Sequence, residues 1–294
     1  MDLFIAQFLN GVSSGVVFGS VALALVLIYR STGILNFAQG EMALFATYMT
    51  WQFTDWGIGV VGAIALSMAF AFVAGAVIER VLIRPVEGAH NPLNVVIVTL
   101  GMFLAINALA LIIFGTTERK VPYVFPTDSW DVLGTNVAKE TVGMAAVLAA
   151  ECVFLWALLQ KTKIGLRLRA VASNPESSRL VGINTGAMLM LGWGLAAAIG
   201  ALAGSLFAAG ETAFAGSSMQ IILVYAFAAA ALGGFDSLVG AVVGGLVVGV
   251  ANALTIQYVD LLDGIELAMP LGLILAVLLV RPTGLFGKRH VERV

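Results

Sequence analysis

The sequence predicts an all-α, polytopic integral membrane protein: a helical bundle of about eight or nine hydrophobic segments, some short or broken. Three observations carry this. Of 294 residues, 60% are hydrophobic and only 11% charged, whereas a soluble domain is nearer half apolar and a quarter charged. Mean hydropathy is +1.01. The few charges are clustered, which leaves apolar runs of about 18 or more residues, the length needed to cross ~30 Å of hydrocarbon. No polar stretch is long enough for a soluble domain, so residues 1–294 read as a single transmembrane domain.

The apolar segments fall at roughly 8–29, 41–54, 58–79, 92–115, 141–160, 187–210, 221–234, 238–258 and 267–281. Residues 1–7 are not basic and the first run is long enough to span, so no cleavable leader is expected. Segments 41–54 and 221–234 are short. About 14 residues at 1.5 Å each reach only ~21 Å. Such segments are expected to be half-spans or tilted helices facing the bundle interior. The membrane tolerates broken backbone only where protein or a water-filled cavity covers it.

Basic residues set the orientation. Arg30, Arg80, Arg84, Lys161, Lys163, Arg167, Arg169, Arg179, Arg281, Lys288, Arg289 and Arg293 fall on one side; Arg119, Lys120 and Lys139 fall on the other. The positive-inside rule makes the first side cytoplasmic. Nine crossings, with the N-terminus outside and the tail Lys288–Val294 inside, satisfy every loop. Eight or ten follow if a short segment is re-entrant. Small residues recur at four-residue spacing: Gly11, Gly15 and Gly19; Gly200 and Gly204; and Gly240 and Gly244, with Gly245 and Gly249. This spacing lets helix backbones approach closely, which matters where lipid removes the hydrophobic drive between helices.

Chemistry is bounded by absences. Cys152 is the single cysteine and sits in an apolar run, so neither an internal disulfide nor a cysteine metal cluster is available, and a packing role is expected. Gly284 to Lys288 has the wrong spacing for a P-loop, and Arg289 stands where a magnesium-binding Ser or Thr belongs. ATP would therefore be hydrolysed by another chain. His90 and His290 have no zinc-ligand spacing and no triad context. The chain is expected not to be an enzyme and to need no cofactor. Its positive charges are explained by topology, with the lipid bilayer and not nucleic acid as partner.

Polar groups at lipid depth are costly and usually face the bundle interior. The candidates are Asn36, Gln39, Glu41, Asn94, Asn107, Glu151, Glu211, Gln220, Asn252 and Gln257. Asn36, Gln39, Glu41, Asn107 and Asn252 form the candidate translocation pathway. Glu41 opens the short segment 41–54, where a carboxylate is favoured by the free N–H groups and dipole of a helix start. It is expected either to cap that helix or to line the pathway, the first being the plainer reading. Glu151 is expected to be buried and paired or protonated, and Asn107 and Asn252 to make interhelical hydrogen bonds.

The most informative stretch is Lys161–Asn184, KTKIGLRLRAVASNPESSRLVGIN, at the centre of a cytoplasmic loop of about 161–186. Asn174 is a good N-cap. Pro175 suits the first helical position, Glu176 the positive end of the dipole, and Gly182 a left-handed stop. A helix of about two turns follows, with Leu180, Val181 and Ile183 as an apolar edge. Arg167 and Arg169 are expected to hold it at headgroup level. Asn174, Pro175, Glu176, Arg179, Leu180 and Gly182 are the candidate contacts through which a soluble partner would couple; an ordinary interfacial connector is the bland alternative. A stand-alone secondary transporter or channel would explain the short segments but leaves this capped helix without a task.

Several motifs carry a family resemblance. They are Asn10-Gly11 with Gly19-Ser20; Thr32-Gly33-Ile34-Leu35-Asn36-Phe37-Ala38-Gln39-Gly40-Glu41; Glu79-Arg80 with Arg84-Pro85; the loop Gly165–Asn184; GGFDSLVGAVVGG over 233–245; and Arg281-Pro282-Thr283-Gly284. In this order, over nearly the whole chain, the sequence resembles the branched-chain amino-acid ABC transporter permeases of LivH type. Glu176-Ser177-Ser178 before Gly182 is similar to the coupling loop of such permeases. The resemblance implies a permease subunit of an importer in the bacterial inner membrane. It also implies a second homologous permease subunit of LivM type, two ATP-binding subunits and a periplasmic substrate-binding protein. Branched-chain amino acids are the implied substrates, with urea or short amides as alternatives. Two positions depart from the family pattern: Gln39 stands where histidine is frequent, so no proton-linked role is inferred there, and Asp236 replaces a small residue in the glycine-rich turn.

Overall fold

The computed structural model describes residues 2–87, 93–132, 135–262 and 264–287. The tail Lys288–Val294, His90, His290 and Asp263 lie outside the described residues. Each of the nine apolar segments is a helix: α1 (Asp2–Thr32), α2 (Gln39–Asp55), α3 (Val60–Ile78), α5 (Leu93–Phe114), α6 (Lys139–Lys161), α9 (Thr185–Gly210), α10 (Ser218–Gly233), α11 (Leu238–Tyr258) and α12 (Ala268–Val280). A π-helical turn, Glu79–Ile83, and the four-residue α4 (Arg84–Glu87) prolong α3; α7 (Lys163–Ser173) and α8 (Pro175–Leu180) lie between α6 and α9. Six of these elements are long and apolar enough to cross a membrane. The chain is a multi-pass helical membrane protein.

Burial separates the helices into a centre and a shell. The most hydrophobic window of α1 is 83% buried and that of α9 61%, against 17% for α5. Leu104, Ile112 and Val153 on α5 and α6 are exposed on faces that only lipid or another membrane chain can cover. α1 is central because its glycines remove the side chains between it and α11. A Cβ on Gly11 would stand 2.6 Å from the Val250 Cα, and one on Gly15 would stand 2.8 Å from the Leu246 Cα. From the other side, Gly245 and Gly249 press on the backbones of Gly19 and Gly15. The two glycine series read from the sequence are thus the two faces of one seam. α10 closes on α11 in the same manner, through Gly233 against Gly240.

The short helices are interior, as expected. α2 has 17 residues and α10 has 16, about 26 and 24 Å of rise. α12, with 13 residues, is shorter than either. Before α2 the chain leaves the helical path. Gly33 turns with φ +72°, and the Asn36 Oδ1 accepts the Ala38 N–H at 3.1 Å, with Asn36 fully buried. The Gln39 Nε2 then donates to the Ala196 carbonyl at 3.1 Å, and Ala196 lies in the middle of α9. Non-helical backbone therefore reaches mid-helix depth, where α9 and α10 cover it.

One departure from an all-helical chain lies in the connector between α5 and α6. β1 (Ser129–Val132) pairs antiparallel with β2 (Thr135–Ala138), Ser129 opposite Ala138. Four-residue strands are too short for a period-two pattern to be read. The same connector pairs with the 211–217 segment through Arg119 and Phe214, backbone to backbone at 3.0 and 2.8 Å. The Arg119 guanidinium lies 4.3 Å from the centre of the Trp51 ring.

Replacing Gly15 by leucine drives side-chain volume into the α11 backbone. We expect markedly less folded protein in detergent by size-exclusion chromatography. Leucine at Gly101, whose Cβ position is open, is expected to leave the yield near that of the parent. Equal yields from the two variants would show that the seam does not hold the fold.

Candidate functional site

The connection between α6 and α9 holds two capped helices, not one. The Thr162 Oγ1 caps α7 by accepting the Gly165 N–H at 3.0 Å. Gly165, Leu168 and Val171 form its buried edge. This helix was missed by sequence reading, although the cap and the three-residue apolar spacing were its signals. The Asn174 Oδ1 then accepts the Ser177 N–H at 2.8 Å, with Pro175 opening α8. α8 is six residues long, shorter than the two turns expected. Gly182 follows at φ +81°. Its N–H donates to the Arg179 carbonyl and the Ile183 N–H to the Ser178 carbonyl, both at 3.0 Å, the two bonds of a Schellman stop. Leu180 is 89% exposed and Val181 75%, so among the described residues these two apolar side chains stand bare.

Arg179 does not simply project from this surface. Its Nε donates to the Thr185 Oγ1 at 3.0 Å, tying α8 to the first residue of α9. A second clamp holds that same helix start. The π-helical turn brings residues five apart to one side, so the Arg84 Nε and Nη2 donate to the two Glu79 carboxylate oxygens at 3.1 and 2.6 Å. The Arg84 Nη2 also donates to the Gly186 carbonyl at 2.7 Å. The Glu79 side chain is 1% exposed. Sequence reading quoted Glu79 and Arg84 as motif residues without seeing this clamp, because spacing alone does not reveal a π turn. The Arg169 Nη1 donates to the Gln160 Oε1 at 3.1 Å, which ties α7 back to the end of α6.

The candidate pathway residues separate into three places. Asn36 and Gln39 form one buried unit, with the Asn36 Nδ2 donating to the Gln39 Oε1 at 3.3 Å. Glu41 and Asn107 form a second. Glu41 is buried but does not cap α2: its Oε2 accepts from the Asn107 Nδ2 at 2.9 Å, and the same amide donates to the Gly216 carbonyl at 2.9 Å. The cap reading is corrected by this cross-helix bond, which uses the carboxylate against α5 and not against its own helix start. Asn252 stands apart, its Oδ1 3.0 Å from the Tyr225 hydroxyl, which donates to the Glu266 carbonyl at 2.7 Å. Glu151 is buried and paired, accepting from the Ser20 Oγ at 2.7 Å.

A cavity of about 490 Å³ opens between α1, α6, α9 and α10. Glu140 and Glu211 stand at its rim, Ser13, Ser14 and Tyr225 line its polar side, and Phe207 and Ile222 its apolar side. None of these was chosen from sequence as a pathway residue. Only Glu211 had been noted as a polar group at depth, since the others sit in ordinary apolar or loop contexts. The Ser13 Oγ donates to the Thr141 Oγ1 at 2.8 Å, joining α1 to α6 within the cavity wall.

A multi-pass bundle with an amphiphilic internal cavity, buried polar cross-links and a capped loop helix with a bare apolar edge is built as a membrane transport component. The chain belongs to the family described as branched-chain amino acid transport system / permease component, which matches residues 7–280. It is 30% identical to the high-affinity branched-chain amino acid transport system permease protein LivH of Salmonella typhimurium, over 99% of this chain and 98% of that one. It is 27% identical to the corresponding protein BraD of Pseudomonas aeruginosa, with the same coverage. The galactofuranose transporter permease protein YtfT of Escherichia coli is 31% identical over 76% of this chain and 69% of its own length. Among solved structures, PsaBC from Streptococcus pneumoniae aligns with a TM-score of 0.49 and 14% identity, over 93% of this chain and 91% of that one. The chain is a transport permease component and not an enzyme.

Arg84→Ala strands the buried Glu79 carboxylate. We expect a loss of about 3 kcal/mol of stability, read as a lower detergent melting temperature, with much of it recovered in the double variant Glu79→Leu/Arg84→Ala. Asn107→Leu removes one amide donor from the buried Glu41 and should cost about 1–3 kcal/mol. Glu41→Gln keeps an acceptor for the Asn107 amide and should melt close to the parent. A larger loss in Glu41→Gln than in Asn107→Leu would contradict this account of the pair.

Proposed function

We propose that this chain is one half of the membrane portion of an ATP-driven importer for branched-chain amino acids in a bacterial inner membrane. Its partners are a second homologous permease of LivM type, two ATP-binding subunits and a periplasmic binding protein. The observation that carries the reading is the bare edge of α8. Leu180 and Val181 are exposed at the tip of a helix that is capped at both ends and tied by Arg179 to α9. A rigid helix with apolar anchors suits a groove on a soluble subunit, and the tie passes its displacement to a central helix. The same end of the bundle gathers Arg30, Arg84, Arg169 and Arg179, which supports a cytoplasmic location. At the other end of α9, the cavity bordered by Phe207 and Glu211 pairs apolar walls with carboxylates. That suits a small solute with an ammonium group and an aliphatic side chain. A relative named for galactofuranose makes other small polar solutes the competing substrate reading.

The test is reconstitution with ATP-binding subunits of the same transport family from the same organism. Leu180→Glu/Val181→Glu touches only exposed side chains, so the permease should insert and fold normally. It is expected to lose association with the ATPase and at least tenfold of substrate-stimulated ATP hydrolysis. Wild-type coupling in this variant overturns the role of α8. Transport by the purified chain alone, without ATP, overturns the importer reading in favour of a stand-alone transporter. In a Cys152→Ala background, a cysteine at Asp128 is expected to react with an impermeant maleimide added outside whole cells, and one at Ser173 to stay unlabelled. The reverse pattern inverts the orientation.

A further inference from the structure

A second cavity, about 310 Å³, lies between the Arg30 end of α1, the C-terminal half of α6, α7 and the turn before α11. Its floor is charged and its walls are not. Arg30, Arg169 and Asp236 line it together with Gln160 and Ser237, while Leu155, Trp156 and Val239 provide apolar surface. Two guanidiniums and one carboxylate leave one net positive charge. Asp236 acts electrostatically on Arg30, and so does Arg169, so the three charges form one group. The Arg169 Nε is buried and has no hydrogen-bond partner among the described residues. The walls do not end at the cavity: Trp156 is 56% exposed and Val239 65%, continuous with the outer face of α6. A smaller hollow of about 30 Å³ on the α7 side shares Arg30, Arg169 and Leu159, so the arginine heads are not sealed by side chains.

We propose that this cavity binds one anionic phospholipid, with its phosphodiester between Arg30 and Arg169 and its acyl chains along Trp156 and Val239. A monoanionic phosphodiester balances the single net charge. Guanidinium donors match phosphate oxygens, and basic pockets between membrane helices at the headgroup level suit acidic headgroups. Gln160 and Ser237 stand where a glycerol headgroup needs hydroxyl partners. Asp236, the residue that breaks the glycine-rich pattern of the turn, limits the site to a single negative charge. The site joins the α7 loop to α1 and α11, so a bound lipid braces the loop against the seam.

The test uses the full chain, delipidated in a non-ionic detergent and followed by native mass spectrometry. Phosphatidylglycerol is titrated against phosphatidylcholine, with inorganic phosphate as competitor. We expect one phosphatidylglycerol to be retained with at least tenfold preference, unaffected by millimolar phosphate. Arg30→Gln and Arg169→Gln should each lower its affinity at least fivefold, and Arg169→Lys should keep most of it. Asp236→Asn should tighten it. Arg167→Gln, on the exposed face of α7, should leave it unchanged. Alkylation of Cys152, which lines the cavity, should slow when phosphatidylglycerol is added, a readout independent of the mass measurement. Equal binding of the two lipids, displacement by phosphate, or an equal effect of Arg167→Gln would overturn the lipid site.

Discussion

The backbone contact between α1 and α11 constrains everything around it. In lipid, two helices gain nothing by burying leucine against leucine, because the solvent is as apolar as the interface. What remains is dispersion between closely packed atoms and the weak polar contacts that a short separation allows. Glycine supplies that separation. With Gly11, Gly15 and Gly19 facing Gly245 and Gly249, α1 and α11 meet without intervening side chains, and α1 becomes the axis on which α6, α9 and α10 are arranged. The irregular stretch after α1 and the short helices α2 and α10 then fall inside this frame, where unpaired backbone is shielded from hydrocarbon.

What the sequence disclosed and what it hid divide along the range of the interactions. The caps of α8 were legible because Asn174, Pro175 and Gly182 act on their own neighbours, within a few residues. The nine apolar helices were legible from hydropathy, and the packing glycines from their spacing. Long-range partners were not. Glu41 looked like a helix cap because its only visible neighbours were those in the chain, yet its donor, Asn107, is 66 residues away. The contact of Tyr225 on α10 with the Glu266 carbonyl in the connector before α12, and the cavity between α1, α6, α9 and α10, depend on which helices become neighbours. That is set by the seam and cannot be read from any one segment. The α7 helix is a different failure: its signals were present, but basic residues on its exposed face masked the three-residue apolar period.

The clamps at the start of α9 carry the mechanistic weight. Glu79, Arg84 and Gly186 bind α3 to α9, and Arg179 with Thr185 binds α8 to the same turn. A buried ion pair of this kind contributes little net stability relative to an apolar pair, but it is costly to break halfway. It therefore favours a joint that moves as a unit. Under the proposed coupling role, a soluble partner on α8 would press on a junction already fastened to two membrane helices and not on a loose loop.

Much of the buried surface of α9 is small, with Ala196, Ala197, Gly200, Ala201, Ala203 and Gly204 set among the larger Trp193, Ile199 and Leu206. Interlocked leucines would have to change rotamer one by one before such a helix could shift. Alanine and glycine have no side-chain rotamers to change. Over 26 residues, about 39 Å of rise, α9 joins the clamped turn at Thr185 to Gly210, beside the Glu140 carboxylate, and between residues 196 and 204 most of its contacts involve no rotamer.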